Sequence, residues 1–128
     1  MKVPFLDLKR QYAAIKPDID AAIERVLSHT QFILGPDVKQ FEENLAKYCG
    51  SKHAIGCASG TDALLLSLRA CGVGSGDEVI TTTFSFFATA GVISRLGAIP
   101  VFVDILPDSY NIDTKQIEKK ITKKTKAI

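Results

Sequence analysis

GDEVITTTFSFFATAGVISRLGAIPVFVD, residues 76–104, is the stretch whose rhythm decides the fold class. Glu78 to Thr82 is short and rich in β-branched residues, and it follows the turn-forming pair Gly76-Asp77, so it predicts a strand. Phe86 to Leu96 predicts a helix closed by Gly97, and Ile99 to Asp104 predicts a second β-branched strand. The run from Phe84 to Val103 is largely apolar, but Arg95, Gly97 and Pro100 interrupt it. It therefore reads as a helix followed by a strand and not as a membrane span. A strand, a short helix and a strand in close succession predict a parallel pair joined by a crossover.

The same alternation extends to both sides. Upstream, His53 to Ala58 reads as a buried strand, Ser59-Gly60-Thr61 as a turn, and Asp62 to Cys71 as a helix ended by Gly72. Downstream, Thr114 to Ile121 reads as a helix, and Thr125 to Ile128 as the entrance to a further strand. The first fifty residues follow a different rhythm. Val3 to Leu8 looks extended. Tyr12, Ile15, Ile19, Ile23, Val26 and Leu27 then recur at spacings of three and four, which is an amphipathic helix with Pro17 as a kink or restart. The pattern breaks at Thr30 to Gly35. Pro36 opens a second helix whose apolar face is Val38, Phe41, Leu45 and Tyr48, and Gly50 stops it. The predicted fold class is α/β, with a mostly parallel sheet flanked by helices. Residues 1–50 form an N-terminal helical segment and residues 51–128 the start of an α/β domain. Parallel sheets usually have more than three strands and helices on both faces, so the expectation is part of a larger, truncated domain.

Composition narrows the function classes. The chain has 128 residues, 46% apolar and 23% charged, which excludes a disordered tail, a collagen-like chain and a coiled coil. The net charge of +2 is uneven: residues 115–128 hold six Lys and one Glu, leaving residues 1–114 at −3. A mildly acidic body argues against a nucleic-acid partner. The lysines lie around Ile117 and Ile121 and read as the solvated face of a short helix rather than as a phosphate-binding tail. Cys49, Cys57 and Cys71 are odd in number, without CxxC spacing and without a signal peptide before them, so they are expected as reduced thiols in a cytoplasmic protein. Cys57, inside the strand expected at 53–58, reads as inert core. With His29 and His53 alone, and no partner evident for either, no metal site is expected.

Three places can carry chemistry. In Ala58-Ser59-Gly60-Thr61-Asp62-Ala63-Leu64 a strand delivers the chain to a tight turn and a helix begins at once. A helix N-terminus has unpaired N–H groups and a positive dipole end, glycine permits close approach, and threonine adds a hydroxyl donor, which suits a phosphate. The same Ser, Thr and Asp serve equally as a helix cap. For the phosphate reading the Asp62 side chain must point away from the anion. In Thr83-Phe84-Ser85-Phe86-Phe87-Ala88-Thr89 three Phe occupy a predicted strand-to-helix loop. Phe86 is the ring available to stack on a flat heterocycle. Phe84 or Phe87, or both, are expected in the core. Asp104, at a strand end, either touches a ligand or braces the following turn, and Asp113 is the expected N-cap of the next helix.

Taken together, VPFLDLKRQY, FILGPDVKQFEENLAKYCG, ASGTDALLLSL, GDEVITTTFSFFATAGVISRLGAIPVFVDI and YNIDTKQIEKKITKKTKAI, spanning Val3 to Ile128, resemble the N-terminal portion of the DegT/DnrJ/EryC1/StrS family of pyridoxal-phosphate-dependent sugar aminotransferases. The resemblance implies the large domain of the aspartate-aminotransferase type I fold, pyridoxal 5′-phosphate as cofactor, and a homodimer. It implies a nucleotide-linked keto-sugar as substrate, with an amino-acid donor, commonly glutamate. It implies that Gly60, Thr61 and Asp62 give backbone N–H groups to the cofactor phosphate, that Phe86 stacks on its ring, and that Thr89 lines the same site. It places the N-terminal segment and the Phe32 to Pro36 turn near the substrate entrance and the subunit interface. The family's Schiff-base lysine falls beyond Ile128, so no catalytic residue is assigned within the chain, and the 128 residues alone are expected to be inactive. Thr82-Thr83 departs from a Pro-containing turn common in the family. Two other readings stay open: a PLP-dependent sugar dehydratase relative, and a standalone non-catalytic module that binds a phosphorylated ligand or a regulatory partner.

Overall fold

The structure, a computed structural model, describes residues 5–128. Its contacts divide into two compact units, Met1–Gly56 and Cys57–Ile128.

The first unit is helical. Helix α1 spans Leu8–His29, started by Asp7, whose side chain accepts from the Arg10 N–H, and ended by Thr30 in the left-handed region at φ 55°. Pro17 sits inside it. Proline has no N–H to give, so the Ala13 carbonyl one turn earlier loses its helical donor. Helix α2 spans Pro36–Cys49, with Pro36 in the first turn and Gly50 closing it at φ 65°. Between them, Gly35 is buried, and a Cβ on it would stand 2.2 Å from the Gln31 carbonyl oxygen, so only glycine fits there. Beyond Gly50 the chain runs irregularly to Gly56, whose N–H donates to Glu42 Oε1 at 2.6 Å. Of the extended segment expected at Val3 to Leu8, residues 1–4 lie outside the described residues. Leu8 already belongs to α1.

The second unit carries the sheet and the core. It runs α3 (Gly60–Ala70), β1 (Glu78–Thr82), α4 (Ala88–Arg95), β2 (Ile99–Val103), α5 (Thr114–Lys120) and β3 (Thr125–Ala127). The strand order is β2-β1-β3, and both pairings are parallel. Along β1 and β2 the register runs unbroken from Glu78↔Ile99 to Thr82↔Val103. Against β3 it shifts between Glu78 and Val79, where the Glu78 N–H donates to the Lys124 carbonyl at 2.8 Å. Adjacent residues Val79 and Ile80 are both buried, as expected of a strand covered on two faces. Val73, Val79, Ile93 and Ala98 form the packed cluster, joined by Leu68, Leu96 and Ala127. The mostly parallel α/β class expected from the sequence is the observed one.

Two expectations fail here. Residues 53–58 are not a strand, and Cys57 is exposed, not core. A strand exists through its ladder, and the segment of residues 53–58 pairs with none of β1, β2 and β3 among the described residues. Its apolar run reports a capacity to pair, not a pairing. The helix of the opening stretch starts at Ala88, two residues later than Phe86, because the chain after β1 first makes a turn.

Candidate cofactor site

The N-terminus of α3 is built by its cap. Ser59, in extended conformation, accepts the Asp62 N–H on Oγ at 3.1 Å, and its hydroxyl lies 3.2 Å from Asp62 Oδ2. This is a reciprocal cap between residues three apart. It turns the Asp62 carboxylate back onto Ser59 and occupies the Asp62 N–H. The N–H groups of Gly60 and Thr61 and the Thr61 hydroxyl have no protein partner among the described residues. In front of Gly60 the space is open: a Cβ there would meet no atom within 4 Å, and its φ lies outside the positive range. Neither packing nor backbone conformation within the protein asks for glycine at this position. Just upstream, the Cys57 thiol donates to the Ser59 carbonyl at 3.4 Å.

The loop after β1 is tethered at both ends. At the strand end, the Thr83 N–H donates to the Val103 carbonyl at 3.3 Å, extending the ladder by one bond. The Thr83 hydroxyl donates to Asp104 Oδ1 at 3.3 Å, and the Phe84 N–H to the Thr82 hydroxyl at 3.3 Å. At the helix end, the Ser85 and Thr89 hydroxyls lie 2.7 Å apart, and the Thr89 N–H donates to the Phe86 carbonyl at 3.0 Å. Phe86 sits on the turn so formed and is 78% exposed. Phe84 and Phe87 are 64% and 83% exposed, so neither is in the core as expected. The tethers hold the turn proud of the sheet. Phe84 meets Tyr110, ring centroids 5.8 Å apart, and the Phe87 ring lies over Gly91. Thr89 also faces inward, where it shares a cavity of about 130 Å³ with Leu64 and Leu68 of α3 and Val79, Ile80 and Thr81 of β1. Helices α3 and α4 thus line one cavity against β1.

Asp104 braces a turn. Its Oδ1 takes the Ile105 N–H at 2.8 Å as well as the Thr83 hydroxyl, and its carbonyl takes the Asp113 N–H at 2.9 Å. Asp113 caps α5 through the Lys115 N–H, as expected. His29, read from the sequence as partnerless, is paired: its Nε2 lies 2.7 Å from Asp37 Oδ2, and the Gln31 N–H donates to its Nδ1 at 3.1 Å. Arg25 donates to Asp37 Oδ1 through Nε at 2.9 Å and Nη2 at 2.6 Å. The hydrogen bonds from His29 and then Arg25 hold the Asp37 carboxyl below its ordinary value. Only half of the signal for this cluster was present: Arg25 and His29 are four apart on one helix face, but the shared partner Asp37 lies on the next helix. Among the described residues no group of His, Cys, Asp and Glu is placed to hold a metal ion, and no helix is long and apolar enough to cross a membrane.

The start of α3 thus offers free N–H and hydroxyl donors of the kind that suit a phosphate, and the loop after β1 offers a tethered, exposed aromatic ring, both on one parallel α/β unit. Residues 13–128 match the model of the DegT/DnrJ/EryC1/StrS aminotransferase family, and the chain belongs to that family. Its aminotransferases depend on pyridoxal 5′-phosphate, and solved relatives hold that cofactor or its pyridoxamine form. The chain is 55% identical over its whole length to the pleiotropic regulatory protein of Geobacillus stearothermophilus, covering 34% of that protein. It is 54% identical to the UDP-2-acetamido-2-deoxy-3-oxo-D-glucuronate aminotransferase of Pseudomonas aeruginosa, across 98% of this chain and 35% of that enzyme. Its fold superposes on S. venezuelae DesV with a TM-score of 0.91 at 44% identity, covering 97% of this chain and 33% of DesV. The chain thus spans about a third of the length of the curated relatives it matches.

Proposed function

We propose that this chain supplies the phosphate-anchoring and ring-holding part of a pyridoxal-phosphate-dependent aminotransferase that transfers an amino group, with glutamate as donor, to a nucleotide-linked keto-sugar. The observation that carries the reading is the free donor set at the start of α3: the Gly60 and Thr61 N–H groups and the Thr61 hydroxyl, open to space at Gly60. A dianionic phosphate there meets hydrogen-bond donors and the positive end of an 11-residue helix. Asp62 contributes an N–H on the same turn, which reaches a phosphate when the Ser59 hydroxyl gives it up. Its carboxylate, held by Ser59, stays out of the anion's way. Phe86 presents a ring face to stack on the pyridine, and Thr89 lines the site from the turn's far side. The cofactor, when bound, supplies the electron sink for moving the amino group. The residues of this chain bind it, fix its tilt and keep water from one face.

The reading extends to the cell. Cys49, Cys57 and Cys71 are all free and exposed, which suits the reducing cytoplasm. The exposed Phe32, Ile33, Leu34 and Phe41 of the helical unit offer apolar area for a homodimer. The test is a titration of pyridoxal phosphate into the full-length gene product stripped of cofactor, with amino transfer from glutamate to keto-sugar nucleotides assayed alongside. Thr61→Val is expected to weaken binding roughly 10- to 100-fold by removing one hydroxyl donor to a charged group. Unchanged binding in that variant, or no cofactor-dependent transfer in the wild type, would sink the proposal.

A further inference from the structure

We infer that Asp104 is a positioning residue for the stacking ring of Phe86, acting through the Thr83 hydroxyl; the inference rests on the cofactor reading above. The turn that carries Phe86 leaves β1 at Thr83, and that departure is where its direction is set. One carboxylate oxygen, Asp104 Oδ1, takes both the Thr83 hydroxyl at 3.3 Å and the Ile105 N–H at 2.8 Å. The first bond fixes the end of β1 to the end of β2, and the second fixes the carboxylate itself. The Asp104 carbonyl takes the Asp113 N–H at 2.9 Å, and the Ile105↔Ile112 bridge closes the loop that carries Tyr110, the ring against Phe84. The strand-side base of the aromatic turn is thus held on two sides by elements that meet at Asp104: a hydroxyl tether and a ring contact. The other base is held by the Ser85 and Thr89 hydroxyls. With Asp104 in place, the start of the turn that carries Phe86 is held through both the Thr83 backbone and its hydroxyl. Without it, Thr83 retains only its backbone bond to Val103.

The experiment uses the full-length protein with pyridoxal phosphate, in Asp104→Ala, Asp104→Asn, Thr83→Val and Phe86→Ala variants. Cofactor affinity is read by titration, and amide exchange at Thr83 and Phe84 is followed in the cofactor-free protein. Asp104→Ala and Thr83→Val are expected to raise the cofactor dissociation constant about fivefold each, the worth of one net hydrogen bond, and to speed exchange at both amides. Asp104→Asn keeps an Oδ1 acceptor for both donors and is expected to behave as wild type in both readouts. Thr83→Val in a Phe86→Ala background is expected to add nothing, because its effect passes through that ring. Where Asp104→Ala fails to fold, Thr83→Val carries the test. Wild-type affinity in Thr83→Val and Asp104→Ala, with Phe86→Ala weakened, would overturn the inference while leaving the cofactor reading intact. So would an Asp104→Asn variant as weak as Asp104→Ala. Phe86→Ala with unchanged affinity would overturn the stacking reading itself, and the inference with it.

Discussion

Gly60→Ala separates what the fold needs from what a ligand needs. The added methyl group meets no protein atom within 4 Å, and the backbone at Gly60 lies outside the positive-φ region. Alanine also narrows the unfolded chain's freedom, so the cofactor-free protein should gain about 0.4–1 kcal/mol of stability. In a thermal melt that is a rise of roughly 1–3 °C for a domain of ordinary size. The same methyl stands where a phosphate must approach to reach the Gly60 and Thr61 N–H groups. Losing a charge-assisted contact costs about 1.5–3 kcal/mol, so affinity for pyridoxal phosphate should fall roughly 10- to 100-fold. Both quantities come from one sample of full-length protein stripped of cofactor: a melt without ligand, then a titration with it. A variant that is more stable and binds as tightly as wild type would refute the placement of the phosphate at Gly60. A variant that is less stable before cofactor is added would refute the claim that nothing in the protein itself requires glycine there.

Three further outcomes follow from the packing and the charges. Ser59→Ala removes the acceptor of the Asp62 N–H and should cost about 1 kcal/mol in chemical denaturation; an unchanged midpoint would mean the cap carries no stability. Asp37→Asn tests the charge cluster of the helical unit. The folded carboxyl sits below its ordinary value, so its contribution is complete above about pH 4 and lost as the pH falls through the lowered folded value. The wild type should therefore exceed the variant in stability at pH 7, with the difference closing in acid; parallel curves would contradict the pairing. Ile80→Ala empties a site that is 1% exposed at the sheet centre and should cost roughly 3 kcal/mol in urea unfolding, and a loss under about 1 would contradict its central place in the core.

What could be read in the sequence was whatever depends on neighbours along the chain. The Glu78–Thr82 strand is the observed one to the residue, because turn residues bound it before and a change of rhythm bounds it after. Helix α2 announced both of its ends, by Pro36 and by Gly50. The Ser59 to Asp62 turn was legible as residues, but the division of its donors was not: that the Asp62 N–H goes to Ser59, leaving Gly60 and Thr61 free, depends on a rotamer. Residues 53–58 looked like a strand because apolar patterning reports a capacity to pair, and the ladder itself is a long-range fact. The exposed Phe84 and Phe87 misled for the related reason that hydrophobicity says a ring seeks contact without saying with what. His29 escaped because its partner Asp37 lies across a turn, at a spacing no helical period marks.

The sheet order also sets the timing of assembly. β1 is central, yet β2 and β3 both follow it in the chain, so β1 leaves the ribosome with neither neighbour made. The last residue of β2 comes 21 positions after the last residue of β1. At synthesis rates of about 5–20 residues per second, Val79 and Ile80 wait on the order of 1–4 s before a partner strand exists. Asp77 and Glu78 stand at the mouth of that apolar strand during the wait, and two carboxylates side by side repel the approach of another nascent copy.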